Sequence, residues 1–261
     1  MSDWTKELSE KHPELFLRVL EERIAQASEE VDVLLQALKK QGFRPKRILD
    51  LNCGIGRHSI ELVMREISVL GTDLSSHYIE IAKRRAKKLK ASDRIIFRVA
   101  DMREIASVLS GEVFDGVINL FTSFGFYDDE TNDDILRQCY QLVRPGGFFV
   151  LDITNRDWVI RDFQERSFSQ HKDMIVLDER RFDQNTSRIH STWTYLIQQD
   201  NSNFIISKKI AINHRVWSPH ELIEMFKRTG WQFKAAYPGF GQSQSDVLPL
   251  GEKRLLFIGK K

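Results

Sequence analysis

The 261 residues carry only two cysteines, Cys53 and Cys139. So few thiols exclude a disulfide framework and suit a reducing compartment. Long apolar runs are missing as well, since no uninterrupted stretch approaches the ~20 residues that cross a bilayer. The opening Met-Ser-Asp-Trp-Thr-Lys-Glu lacks the apolar core of a signal peptide. Charge of one sign is scarce too: the net value of +2 gives no global reason to expect a polyanion partner. Neither an internal repeat nor a low-complexity tract is present. What remains, 41% hydrophobic and 29% charged residues, is ordinary for a soluble, compact protein. The length suits one large domain, or one domain with a sizeable insertion. The expected setting is cytoplasmic, with no membrane partner.

Residues 13–41 read as helical, with Pro13 at a first helical position and Leu15, Leu17, Val19 and Leu20 starting an apolar face. A second stretch after Ser28-Glu29-Glu30 carries Val31, Val33, Leu34, Leu35 and Leu38 and stops at Gly42. Alternation follows. Strands are predicted at 47–51, 68–73, 95–100, 114–120 and 148–153. Helices are predicted at 57–65, 76–90 and 130–143, with a helical turn at 103–109 and a Pro-Gly-Gly turn at 145–147. Such a rhythm implies a parallel sheet with right-handed crossovers and helices on both faces. It breaks after Asn155. Residues 173–217 read as an antiparallel β-meander of three runs, 174–182, 188–197 and 204–217. Ser218-Pro219-His220-Glu221 then opens a helix with a serine cap and a glutamate three residues on. Strands at 231–237 and 254–259, joined by a Gly/Ser/Gln-rich loop at 239–248, form a hairpin-like pair at the sheet edge. The expected division is a helical cap over 1–42, an α/β core over 43–157 and 218–261, and a β-rich insert over 158–217. The insert would serve as lid or dimerisation surface, which leaves a homo-oligomer open.

The most telling stretch is Ile48-Leu49-Asp50-Leu51-Asn52-Cys53-Gly54-Ile55-Gly56-Arg57-His58-Ser59, with a second acid at Asp73. In an open α/β sheet, ligands sit beyond the carboxyl ends of the strands. Gly54 and Gly56 let the backbone turn tightly and approach such a ligand. Asp73, ending the next strand, can accept from ribose hydroxyls. A Gly-x-Gly alone also fits an ordinary strand–helix turn, but two details narrow the choice. The third glycine of the dinucleotide fingerprint is absent, so NAD and FAD lose support. Asp50 stands directly before the turn, where a carboxylate repels a pyrophosphate but helps hold an ammonium group. Asp101-Met102 follows the third strand and offers an acceptor for an adenine amine beside an apolar wall. Three acids at three successive strand ends select a cationic, nucleoside-like molecule, and S-adenosylmethionine (SAM) meets that description.

Residues 47–155 and 217–260 resemble the class I SAM-dependent methyltransferases. The resemblance is carried by Leu49-Asp50-Leu51-Asn52-Cys53-Gly54-Ile55-Gly56-Arg57-His58 and Gly71-Thr72-Asp73-Leu74-Ser75. It continues through Asp101-Met102-Arg103, Phe114-Asp115-Gly116-Val117-Ile118-Asn119 and Val143-Arg144-Pro145-Gly146-Gly147, in order and at sensible spacing. It implies an α/β fold: a seven-stranded Rossmann-like methyltransferase sheet, mostly parallel with an antiparallel last strand. The Cys-Gly-x-Gly-Arg-His form and the run 119–126 are most similar to small-molecule enzymes, glycine N-methyltransferase and the amino-sugar N-methyltransferases among them. The meander is similar to an insert that some of these carry. Cofactor-binding positions implied are Asp50, Asn52, Gly54, Gly56, Arg57, Asp73, Leu74, Asp101, Met102 and Asn119. The product would be S-adenosylhomocysteine (SAH).

Methyl transfer is an in-line displacement, so alignment supplies much of the catalysis, and a base is needed only where the acceptor must lose a proton. Asn119, Tyr127 and His190 are the catalytic candidates. Asn119 either faces the methyl or simply ends its strand. Phe121, Phe124, Phe126 and Tyr127 either wall the site, where aromatic faces suit a sulfonium, or belong to the core. Asp152 and Asn155 after the fifth strand, and His190, Trp193, Tyr195 and Arg215 from the meander, are further substrate-side candidates. His58 reads as cofactor-loop structure, Cys53 as packing under the turn, Cys139 as buried filler, and no metal is expected. The reading is a methyl transfer to a small-molecule acceptor, nitrogen ahead of oxygen. A nucleic-acid substrate has the basic run 83–90 in its favour, although that run reads better as the solvated face of a helix. A protein acceptor and a non-catalytic SAM-binding protein stay open.

Overall fold

The structure, a computed structural model, describes residues 3–200, 203–240 and 251–261. The chain opens with a short helix, α1 (Trp4–Lys6), and a π-helical turn over Glu7–Lys11, both ahead of the helical signal at Pro13. The two expected helices follow as α2 (Pro13–Glu22) and α3 (Ala27–Lys40). Then β1 (Arg47–Leu51), α4 (Arg57–Met64), β2 (Ser68–Asp73), α5 (Ser76–Lys88), β3 (Ile95–Val99), α6 (Ile105–Val108), β4 (Phe114–Asn119), α7 (Asp129–Leu142) and β5 (Val143–Thr154) alternate. Strand β5 starts earlier than expected and takes in Pro145-Gly146-Gly147. Its pairing with β4 jumps from Phe114–Val143 to Gly116–Phe148, so the predicted turn is a bulge within one strand. Helix α8 (Arg156–Arg161) leads to β6 (Arg166–His171), β7 (Met174–Asp183), β8 (Arg188–Gln198) and β9 (Phe204–Arg215). Helix α9 (Pro219–Arg228), β10 (Gln232–Pro238) and β11 (Arg254–Lys260) complete the chain.

Seven strands form one sheet in the order β10-β11-β5-β4-β1-β2-β3. Pairs among β1 to β5 are parallel, while β11 runs antiparallel to both β5 and β10, so only the last strand is reversed. Crossover helices cover both faces, which buries β1, β4 and β5 almost completely. Successive residues of β1 show why. Ile48 joins a cluster with Ile60, Ile79, Phe97 and Phe148 on one face, and Leu49 joins Phe149, Trp217, Phe226 and Trp231 on the other. Each such side chain contributes roughly 1.5–3 kcal/mol by leaving water.

The insert is a separate four-stranded antiparallel sheet, β6-β7-β8-β9. Three of its strands match the expected meander. The fourth, β6, carries no usable signal, being polar apart from Phe168 and held to β7 by backbone pairing. Strand β9 ends at Arg215; Trp217 leaves it to bridge Asn155 and pack 5.4 Å from the Phe124 ring. On the inner face Met174, Val176, Tyr195, Ile210 and Ile212 cluster with Leu8 and Leu15. Leu20 packs with Ile55 and Tyr78 of the core. The N-terminal helices thus bridge insert and sheet. Most of the expected loop at 239–248, and part of the polar turn before β9, lie outside the described residues.

Candidate functional site

The turn after β1 is built from three left-handed residues, Asn52 (φ 61), Gly54 (φ 55) and Gly56 (φ 70). A Cβ on Gly56 would stand 2.6 Å from the Phe97 ring, so the turn needs glycine there for space as well as for φ. Asp73 clamps the turn from the next strand: its carboxylate accepts from Gly54 N at 2.8 Å and Ser75 N at 2.9 Å. Asp50 accepts from Ser59 Oγ at 2.5 Å. Both acids are buried, and neither forms an ion pair among the described residues. Burial pushes Asp50 up to about 7 and Asp73 up to about 6, the amides of Ser75 and Gly54 restraining the latter. Asp101 differs. Burial works upward on it too, but hydrogen bonds from Arg103 prevail and hold it below the ordinary carboxylate range.

Beyond these strand ends lies a cavity of ≈ 350 Å³. Asp50, Asn52, Gly54, Asp73, Leu74, Asp101 and Met102 line its sheet side. Phe121 and Tyr127 follow β4 into its wall, and Trp193 reaches it from the insert. Arg57 lines it as well, from a buried network. Glu30 of α3 pairs with Arg57 and lies 2.7 Å from His58 Nε2. One guanidinium nitrogen, Nη2, is buried without a hydrogen-bond partner among the described residues. The Arg57 guanidinium also sits 5.0 Å from the centre of the Phe121 ring.

Other expected residues stand back from the cavity. Gly56 caps α4 and shapes the turn from behind. Asn119 is fully buried, its amide donating to Leu51 O and Ser123 O, both at 3.2 Å, so it ties the end of β1 to the loop after β4. Phe124 lies under Trp217 in the core. Asn155 caps α8, accepting from Asp157 N at 3.0 Å, and donates to Glu252 O at 3.0 Å. Arg215 is buried among Asp129, Glu221 and the Trp217 ring. Asp152 is buried and paired with Arg254, and Tyr195 sits in the cluster beneath the insert. His190 falls in a different depression, beside Glu165 and Arg180, because strand alternation turns it away from Trp193.

Residues without an earlier role line the cavity as well, Trp4, Thr5, Ser123 and His214 among them. Trp4 and Thr5 precede any periodic signal, so nothing in the sequence marks them. His214 had a weak one, since alternation along 204–215 places it on the face of Ile212. Its Nε2 lies 2.7 Å from Phe124 O, and burial brings its pKa down to about 4. Among the described residues no group of three or more His, Cys, Asp or Glu side chains is placed to hold a metal ion.

Residues 48–147 match the methyltransferase-domain family. Over that stretch the chain is similar to a methyltransferase domain. Over 136 residues the chain is 33% identical to glycine N-methyltransferase of Mus musculus, covering 49% of this chain and 46% of that protein. The chain therefore spans about half the length of the curated relatives it matches. The fold is shared with the CcbJ methyltransferase from Streptomyces caelestis, at a TM-score of 0.74 and 16% identity, covering 90% of this chain and 88% of that one. It is shared also with SAM-bound CalS10, an amino pentose methyltransferase from Micromonospora echinaspora, at 0.65 and 17%, covering 90% and 91%. SAM is the cofactor of such domains, and the residues around this cavity fit it. Among the described residues two buried carboxylates form no ion pair, and Nη2 of Arg57, whose guanidinium already pairs with Glu30, has no hydrogen-bond acceptor. An amino acid joined to a sulfonium nucleoside supplies a cation and an acceptor.

Proposed function

We propose that the chain is a SAM-dependent methyltransferase acting on a small-molecule acceptor, nitrogen ahead of oxygen. One observation carries this reading: acids from three successive strand ends share a single cavity with the glycine turn. Asp73 would take the ribose hydroxyls, Asp101 and Met102 the adenine, Asp50 the ammonium, and Arg57 Nη2 the carboxylate. SAM brings a methyl group on a cationic sulfur. The chain holds it, keeps water out and aligns the acceptor. Tyr127, Phe121 and Trp193 form the acceptor side, and Asn119 acts as a positioning residue behind them.

The N-terminal helices over 1–42 and the insert over 158–217 would close the acceptor side as cap and lid. Nitrogen is favoured because a relative of this chain is named for glycine N-methylation and a protein that shares its fold for amino pentose methylation. Both cysteines are free and buried, which fits a cytoplasmic setting. No helix among the described residues is long and apolar enough to cross a membrane. Lys83, Arg84, Lys87 and Lys88 of α5 are exposed, opposite its buried side, Tyr78, Ile79, Ala82 and Ala86; Lys83 pairs with Glu80, and Arg85 donates to Ile55 O at 2.7 Å. Those features support a solvated face over a nucleic-acid site.

Calorimetry with SAM tests the cofactor, and release of SAH over a metabolite extract tests turnover. Asp73→Ala is expected to weaken SAM binding by about 1–3 kcal/mol, as for loss of a charged acceptor. Unchanged affinity in that variant would move the ribose elsewhere and sink the assignment.

A further inference from the structure

His214 enters the cavity from β9, against the loop that follows β4, whereas the three acids end β1, β2 and β3. Its protonation pattern is set by a neighbour. The atom 2.7 Å from Nε2 is the carbonyl oxygen of Phe124, which only accepts. Nε2 therefore carries the hydrogen, and Nδ1 presents a bare lone pair. No described residue partners Nδ1. Burial keeps the ring neutral at physiological pH.

The ring is also held still. Arg215 N donates to Gly125 O at 2.8 Å, directly beside the Phe124–His214 bond. Gly125 adopts φ +94, and a Cβ there would lie 2.4 Å from Arg215 O and 3.0 Å from His214 Cδ2, so loop and strand meet backbone to backbone. The Phe126 ring stands 5.8 Å away on another side. His58, another histidine at the cavity, is placed differently: it is bound to Glu30 and sits on α4 near the Asp50–Ser59 pair.

We propose that Nδ1 of His214 accepts a hydrogen bond from the nucleophilic nitrogen of the acceptor, so that the substrate class is a small amine bearing at least one N–H. The inference rests on the methyltransferase reading and deepens it. The amine lone pair forms the new N–C bond as the C–S bond breaks and its electron pair passes to sulfur. Positive charge moves from sulfur to nitrogen, and the surplus proton leaves to water with the product. His214 orients the nitrogen through an N–H that it retains; it is a hydrogen-bond acceptor and not the proton's destination. A neutral amine attacks through its lone pair without first losing a proton, whereas an alcohol needs a base, which separates nitrogen from oxygen as the acceptor. An amine with no N–H has nothing to offer Nδ1 and is not held.

The test follows the imidazole nitrogens of His214 by ¹⁵N NMR in the full-length protein with SAH, titrated with benzylamine or with benzyltrimethylammonium. Both carry a benzyl group on nitrogen, but only the first has N–H, and its neutral form, the one with a lone pair, is the form that is held. Benzylamine should shift the Nδ1 resonance and benzyltrimethylammonium should leave it in place. His214→Gln, which keeps a donor for Phe124 O and an acceptor for the amine, should hold benzylamine within about threefold of the original affinity. His214→Phe should weaken it about tenfold or more with SAM affinity unchanged. An Nδ1 resonance that ignores benzylamine, or answers both compounds alike, overturns the assignment, as does a Phe variant that binds benzylamine normally. Calorimetry with SAM on the same sample keeps the failures apart. Absent SAM binding defeats the methyltransferase reading, whereas SAM binding beside an unresponsive Nδ1 defeats this inference alone.

Discussion

Asp50 and Asp73 are carboxylates in a place where ionisation is costly, and that cost has a sign. Burial raises Asp50 from 3.8 to about 7 and Asp73 to about 6. An acid whose folded pKa lies above its unfolded one holds its proton more tightly in the folded state. The associated stability is full below the unfolded value and is lost as pH rises through the folded value. For Asp50 that window runs from near 4 to about 7. We expect the ligand-free protein to melt higher near pH 5 than near pH 8, and Asp50→Asn to flatten the difference. Asp101 and Glu30, both lowered, act with the opposite sign, but their stability is lost only in more acidic solution. Affinity for SAM should run the other way. A cationic ligand favours the ionised acids, so binding tightens between about pH 5 and about pH 8 with release of protons. Calorimetry in buffers of different ionisation enthalpy measures that release. Binding indifferent to pH would mean that neither acid faces the cofactor's charge.

Elements differ in how much of their role a sequence displays. The strands and helices of the core were legible because each carries its own periodicity. The cavity-lining acids at their ends were legible because ligands of open α/β sheets sit beyond the carboxyl ends of the strands. Strand β6 was not, because polar, exposed residues such as Arg166 and Gln170 leave no alternation to read. His190 lines a different depression for a related reason: which side of a strand faces the cavity depends on docking, which no local pattern encodes. The N-terminal segment is the sharpest case. Trp4, Thr5, Leu8 and Ser9 line the cavity, and Trp4 Nε1 donates to Asn213 O of β9 at 3.1 Å. Yet the two large clusters flanking the sheet draw no residue from before Val31. Removing residues 1–12 should therefore leave a soluble fold with a melting point only a few degrees lower. Affinity for the acceptor should fall sharply, and SAH release with it. Insoluble protein from that deletion would place the segment in the core instead of the cap.

The whole molecule is built in two grades of burial, and hydrogen exchange should resolve them. Strands β1, β4 and β5 are covered on both faces and carry side chains such as Leu49, Val117 and Phe149 at 0% exposure. Their amides can exchange only by openings close to global unfolding. The insert has one apolar face and one solvated face, and β6 is an edge with Phe168 73% exposed. Its amides should exchange first, through sub-global opening that leaves the large sheet intact. Adding SAH should slow exchange at the Gly54 and Ser75 amides that Asp73 already binds, and around residues 101–103. Protection should reach residues 4–9 as well, because that segment closes the same cavity. Ligand protection confined to the glycine turn would separate cap from cofactor. Equal exchange in β6 and β4 would mean that insert and sheet open as one unit, and the cavity between them would then lack the independent wall that a lid requires.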